Sequence, residues 1–299
     1  MRKERMLRLA GTVALALAGV PIAGLPLAHA RSEPAATQSL LGNYLAGRFA
    51  RGRHDTAAAA EFYRHALSRD PQNDVLAEQA FLMEATIGNW PVATTLANQV
   101  VGSQAQSQSR MVRLVLGMSA FKAGNLQAAD DHFKAAAQGP IGELTSTLAR
   151  AWIKSAQNET DAAIAMLEVP KQAEWAQFYL RYHRALIADV GGRRAEARAS
   201  YERIGKQDSR APRTVMAYAQ HAANSGDLKL ARQIVKDHID KSQTGDGHPM
   251  VRALRDQLNT GARIDMLIEK PQDGLAEVFY GLGEALAGEG GLPQGAIFL

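Results

Sequence analysis

Ser119 and Lys122 are the two side chains whose types and spacing come closest to covalent chemistry. Ser-x-x-Lys on a helix sets a hydroxyl and an amine one turn apart, the pairing with which β-lactamases and penicillin-binding enzymes acylate a serine. Those sites also need Ser-Asp-Asn and Lys-Thr-Gly elements, and neither tripeptide occurs here. No Gly-x-Ser-x-Gly elbow is present, and the glycines between 281 and 291 lack dinucleotide-loop spacing and a phosphate-loop lysine. Asp130, Asp131 and His132 are consecutive, which on a helix spreads them over different faces. No His-Glu-x-x-His pair or similar ligand spacing occurs. No catalytic residue, cofactor or metal is therefore expected.

The elements that carry these residues are set by the rest of the chain, and its start must be removed first. Arg2, Lys3, Arg5 and Arg8 precede an apolar run from Leu9 to Val20, then Pro21, Pro26 and Ala28-His29-Ala30. This is the layout of a cleavable secretory signal over 1–30. The run is shorter than the roughly 20 residues of a spanning helix, which weighs against an uncut anchor. A flexible linker is expected over 31–39. The chain carries 34 basic and 30 acidic residues, a net +4; without the signal, 30 basic and 29 acidic remain, a net +1. A nucleic-acid binder presents a standing basic stripe. Here the clusters are short, Arg48, Arg51 and Arg53, then Arg193, Arg194 and Arg198, and no nucleic acid is expected. There is no cysteine, hence no disulfide, thiolate site or lipidated thiol. No second apolar run is long enough to cross a membrane, so no integral segment is expected after signal cleavage. The expected location is the periplasm or cell envelope.

Beyond residue 39 the pattern is helical and repeats about every 34 residues. Gly117, Gly124, Ala129, Phe133 and Ala136 recur as Gly47, His54, Ala59, Tyr63 and Ala66, and as Phe81, Gly88, Ala93, Ala97 and Val100. The offsets return in Ala185, Gly192, Ala197, Tyr201 and Ile204, then in Ala219, Gly226, Ala231, Val235 and His238. Turns are expected at 54, 88, 124, 192 and 226, with one degenerate copy between 124 and 192. In that copy, near 141–169, Ala163 and Leu167 read as two residues late, so an insertion is expected near Asn158. Gly-Asn and Gly-Asp pairs at the turns combine a left-handed glycine with a helix-capping side chain. Phe81 stands where other copies have a small residue, and a splayed pair is expected there. Past Lys241 the period loosens, with short helices expected over Met250–Leu258 and Ala262–Ile268. A first helix is expected over Leu275–Ala287, and a second begins at Ala296 and Phe298. This last unit is partial and uncapped, so that end continues into further chain, frays or docks on a partner.

These residues resemble the tetratricopeptide repeat family, over roughly 40–240 in six units plus the partial one. The whole chain, signal included, is similar to exported bacterial proteins of that family. The resemblance implies an all-α fold, a right-handed α-solenoid of antiparallel helix pairs, whose first helices line a concave groove. Carried onto this sequence, the groove comprises Leu41, Tyr44, Leu82, Met111, Leu114, Met118, Phe121, Tyr179, Tyr182, Leu186 and Met216. Methionine adapts to varied partners and tyrosine offers area with a polar tip, which suits an apolar helix or peptide. Some members grip a partner's terminal carboxylate with lysines, arginines and asparagines along this groove; the matching positions here are largely uncharged, and no such clamp is expected.

The expected function is a non-enzymatic protein-interaction module of the bacterial cell envelope, binding a protein or peptide partner. A structural scaffold in an envelope assembly, such as one for polysaccharide export, is the alternative, and an enzyme a remote one.

Overall fold

Among the described residues, six left-handed turns recur at regular intervals between paired helices. The structure, a computed structural model, describes residues 39–103, 109–169, 172–205, 211–242 and 247–288, with 295, 297 and 298. The expected signal and all but the last residue of the expected linker lie outside the described residues. Turn residues His54, Gly88, Gly124, Asn158, Gly192 and Gly226 have φ of 59°, 78°, 79°, 62°, 72° and 85°. The left-handed region costs an L-residue about 1–2 kcal/mol, which is why glycine fills four of the six. Histidine and asparagine are among the side chains that visit it most readily. After three turns the next residue caps the following helix: Asp55 accepts from the Ala58 N–H at 3.1 Å, Asn125 from Ala128 at 3.2 Å and Asp227 from Leu230 at 3.0 Å.

The turns join six antiparallel pairs. These are α1 (Leu40–Gly52) with α2 (Thr56–Arg69), α3 (Asp74–Thr86) with α4 (Trp90–Gly102), and α5 (Arg110–Lys122) with α6 (Leu126–Ala135). Then come α7 (Gly139–Ala156) with α8 (Thr160–Met166), α9 (Glu174–Val190) with α10 (Arg194–Gly205), and α11 (Pro212–Asn224) with α12 (Leu228–Asp240). Helices α13 (Pro249–Thr260) and α14 (Pro271–Gly288) follow, and the described residues contain no strand. Helices α1 to α13 each pack on their neighbours in sequence, which makes the body an all-α solenoid.

The fourth unit corrects the expected insertion. Asn158 is itself the turn residue, so Ala163 and Leu167 stand at the same offsets from it as Ala129 and Phe133 from Gly124. The irregularity is in helix length, with 18 residues in α7 and only 7 in α8.

Within a pair, a small residue on the first helix faces a large one on the second. A methyl group on Gly117 would lie 2.5 Å from the Phe133 ring, and one on Gly47 would lie 3.2 Å from Tyr63. The second unit reverses the sizes, with Phe81 at the small position and Ala97 at the large one, both fully buried. The exchange conserves volume, so α3 and α4 pack as the other pairs do and the expected splaying has no cause.

The period ends at α13, which packs on α11 and α12 around Val251, Leu254 and Leu258. Residues 262–268 are not helical, contrary to expectation. Ile264 is buried in the α11–α13 cluster and Ile268 in the main core, so this stretch bridges two apolar clusters. The Asn224 amide donates to the Ile264 carbonyl at 2.9 Å, replacing the bond a helix would supply. Next, α14 leaves the stack and packs against α7 and α9.

Candidate helix-binding groove

Helix α14 lies on the face made by first helices α7, α9 and α11, and four features of its sequence fit it there. Gly274 sits against Trp152 of α7, where a Cβ would lie 2.3 Å from the indole ring atoms. Gly281 approaches Tyr179 of α9, with 3.2 Å between a Cβ and the ring. Phe279 is buried with its ring centroid 6.0 Å from Phe133 and 5.4 Å from Phe298. Between the glycines, the Glu277 carboxylate is 4% exposed and fully engaged. It accepts from the Tyr182 hydroxyl of α9 at 2.8 Å and from Arg213 of α11 through Nε at 2.8 Å and through Nη2. The Arg213 guanidinium also lies over the Tyr280 ring, 4.8 Å from its centroid, and the Tyr280 hydroxyl donates to Glu284 at 2.9 Å.

Beneath this contact, Trp152 Nε1 donates to His183 Nδ1 at 3.0 Å. Burial pushes the His183 pKa down to about 4, against a smaller upward pull from Glu277. Burial, and then the Glu277 carboxylate, hold Tyr182 well above the usual phenol range. Farther along, the Asp189 carboxylate receives the Tyr201 hydroxyl at 3.0 Å and lies 2.6 Å from His221 Nδ1, tying α9, α10 and α11 together. An open cleft of about 700 Å³ lies between α10, α11 and α12, walled by Tyr218, Ile234, His238 and His248.

No family model and no curated protein matches the sequence. The structure is similar to that of a tetratricopeptide repeat protein from Parabacteroides merdae, with TM-score 0.58 at 12% identity over 86% of this chain and 98% of that one. Looser likeness extends to MamA protein (TM-score 0.35, 18% identity, 70% of this chain and 93% of that one). The P58(IPK) TPR domain gives 0.31 and 17%, over 84% and 68%.

The chain has the tetratricopeptide-repeat fold.

On this tetratricopeptide solenoid the expected groove residues divide into three groups. Leu114, Phe121 and Leu186 are buried in the main core and Met216 in the α11–α13 cluster, so they pack between helices. Tyr179 and Tyr182 lie under α14. Tyr44, Leu82, Met111 and Met118 are half-buried against the core on α1, α3 and α5, and Leu41 is 62% exposed. Arg213 and Trp152 do not figure among the expected residues, yet they shape the contact most strongly. Arg213 precedes Met216 by three residues and so shares its face of α11, a spacing from which its position could have been read. The carboxylate Arg213 holds is the Glu277 side chain of the same chain, a different contact from a clamp on a partner's terminal carboxylate.

The residues with chemical spacing are dispersed. Ser119 is half-buried and Lys122 exposed at the end of α5. Asp130 pairs with Arg150 at 2.7 Å, Asp131 accepts from Gln127 at 3.2 Å, and His132 faces Arg113 at 3.4 Å. Among the described residues no cluster of three or more His, Asp or Glu could hold a metal. Within the same residues, no helix is long and apolar enough to cross a membrane. The basic clusters are tied down locally: Arg51 donates to Gln79, Arg193 pairs with Asp161 at 2.8 Å, and Arg198 bridges Glu202 and Asp227.

Proposed function

We propose that this chain is a non-enzymatic protein-interaction module, exported to the bacterial cell envelope, whose first-helix face takes an apolar helix or peptide. The observation that carries this reading is α14 itself. A helix lies on that face with its apolar side chains buried and its one acidic contact matched, the helix-in-groove mode of recognition. Along the same face α1, α3 and α5 carry Tyr44, Leu82, Met111 and Met118, half-buried, whereas the main contacts of α14 are with α7 and α9. Export rests on the signal-like first 30 residues. The scaffold alternative, in which the C-terminal end docks on another component, has less support because Leu275, Val278, Ile297 and Phe298 are buried on this chain.

Photocrosslinking tests the reading. A crosslinker at Met118 or Tyr44 should join one envelope protein through an apolar helical segment, mapped by mass spectrometry. A crosslinker at exposed Glu61 on α2 should not. Equal products from both faces, or none from the groove, would overturn it.

A further inference from the structure

The cradle under α14 reads a helix at four points. Trp152 admits no side chain at the first, and Tyr179 leaves only methyl-sized room at the last. Arg213 and Tyr182 bind a carboxylate at the second, while Phe133 receives an aromatic ring at the third. Along α14 these points are Gly274, Glu277, Phe279 and Gly281. A helix needed only for packing does not require the charged point, because apolar side chains of similar size are commonly as stable as a buried ion pair. What the pair adds is a defined register, since sliding or turning the helix strands Arg213 and Glu277 without partners.

We propose that this cradle is a recognition site for a helix of a partner protein carrying the same register, and that such a helix binds by replacing α14. The partner helix has a glycine, an acid three positions later, an aromatic two after that and a small residue two further on. The proposal rests on the interaction-module reading and deepens it by giving the partner's chemistry. In the unbound chain α14 acts as a tethered competitor, present at an effective concentration of order millimolar, so a partner must match its contacts to displace it.

The test uses the full chain and a labelled synthetic peptide of residues 269–288. Glu277→Lys in the chain sets an ammonium group against the Arg213 guanidinium and releases α14; Gly274→Leu, which collides with Trp152, releases it independently. Both chains should keep their helical circular dichroism and bind the peptide one to one, at least about a hundredfold more tightly than the wild-type chain does. A peptide carrying Glu277→Lys should fail on these chains and bind one carrying Arg213→Glu, which in turn should reject the unmodified peptide. Several results would sink the proposal: no binding by folded released chains, equal binding of both peptides, or loss of the fold in every released chain. A doubling of mass with exchanged α14 would also overturn it, by making the occupant a second copy of the chain. Crosslinking from Met118 is read separately, so loss of peptide binding with that crosslink intact refutes only this inference.

Discussion

Tyr182 and Glu277 are 95 residues apart in the chain, and the hydroxyl of one donates to the carboxylate of the other at 2.8 Å. With Arg213 as the second donor, this contact ties the last long helix to the fifth and sixth units. The partners are not equivalent. Arg213→Ala leaves a buried carboxylate without its counter-charge and should cost about 3–5 kcal/mol. Tyr182→Phe removes one hydrogen bond to a charged group and should cost about 1.5–3 kcal/mol. Urea unfolding gives both values. Limited proteolysis should cut within 261–270 sooner in Arg213→Ala than in Tyr182→Phe, and the reverse order would show that Tyr182 is the stronger anchor.

The Trp152–His183 pair makes stability depend on pH. The ring nitrogen that accepts from Trp152 must be unprotonated, and burial lowers the His183 pKa to about 4 from an ordinary 6.5. As pH falls through 6.5 the unfolded chain takes up a proton that the folded chain refuses until about 4. This contribution is therefore complete above 6.5 and lost across the window from 6.5 to 4, about 3 kcal/mol in total. His183→Gln keeps an acceptor without titrating. Denaturation of both proteins from neutral pH to about pH 4.5 should show the wild type losing the more stability. Parallel profiles would mean the imidazole does not titrate in this window.

Gly117 and Phe133 form a size pair that should be reversible. Gly117→Ala brings a methyl to 2.5 Å from the ring and should cost about 1–3 kcal/mol despite alanine's better helix propensity. Gly47→Ala meets Tyr63 at 3.2 Å and should lie nearer neutral. Phe81 and Ala97 show that the opposite arrangement fits. A chain with both Gly117→Phe and Phe133→Ala should be more stable than the sum of the single changes allows, a coupling that a double-mutant cycle measures.

His54 and Gly124 occupy equivalent left-handed turns with φ of 59° and 79°. His54→Gly should stabilise by about 0.5–1 kcal/mol, because relief of strain outweighs the freedom glycine adds to the unfolded chain. Gly124→Ala should destabilise by about 1 kcal/mol. Thermal midpoints moving the other way would show that the turns are not strained.

The solenoid was legible because its determinants are local and repeated. A left-handed glycine and an alanine five positions on recur in neighbouring units, so Gly88, Gly124, Gly192 and Gly226 announce their turns. The turn at Asn158 reads as an insertion because asparagine stands there in place of the glycine that marks four of the other turns. Ile264 and Ile268 mimic a helix through their spacing of four, yet two separate apolar clusters draw them in. A periodic pattern shows that a residue is buried, but not which cluster buries it.

The sequence by itself determined the helix pairs, their turns, the matched sizes of Gly117 and Phe133, and which helices come first in each unit. These follow from backbone preference and from contacts between adjacent helices, which any 34-residue window contains. Only the tertiary structure decided where α14 goes. Its placement depends on the room that Gly274 leaves for Trp152 and on a charge pair spanning 64 residues, Arg213 with Glu277. Neither has a period, and each residue alone reads as an ordinary helix position. Shape and charge identify the site only once the stacked first helices bring Trp152, Tyr182 and Arg213 onto one face.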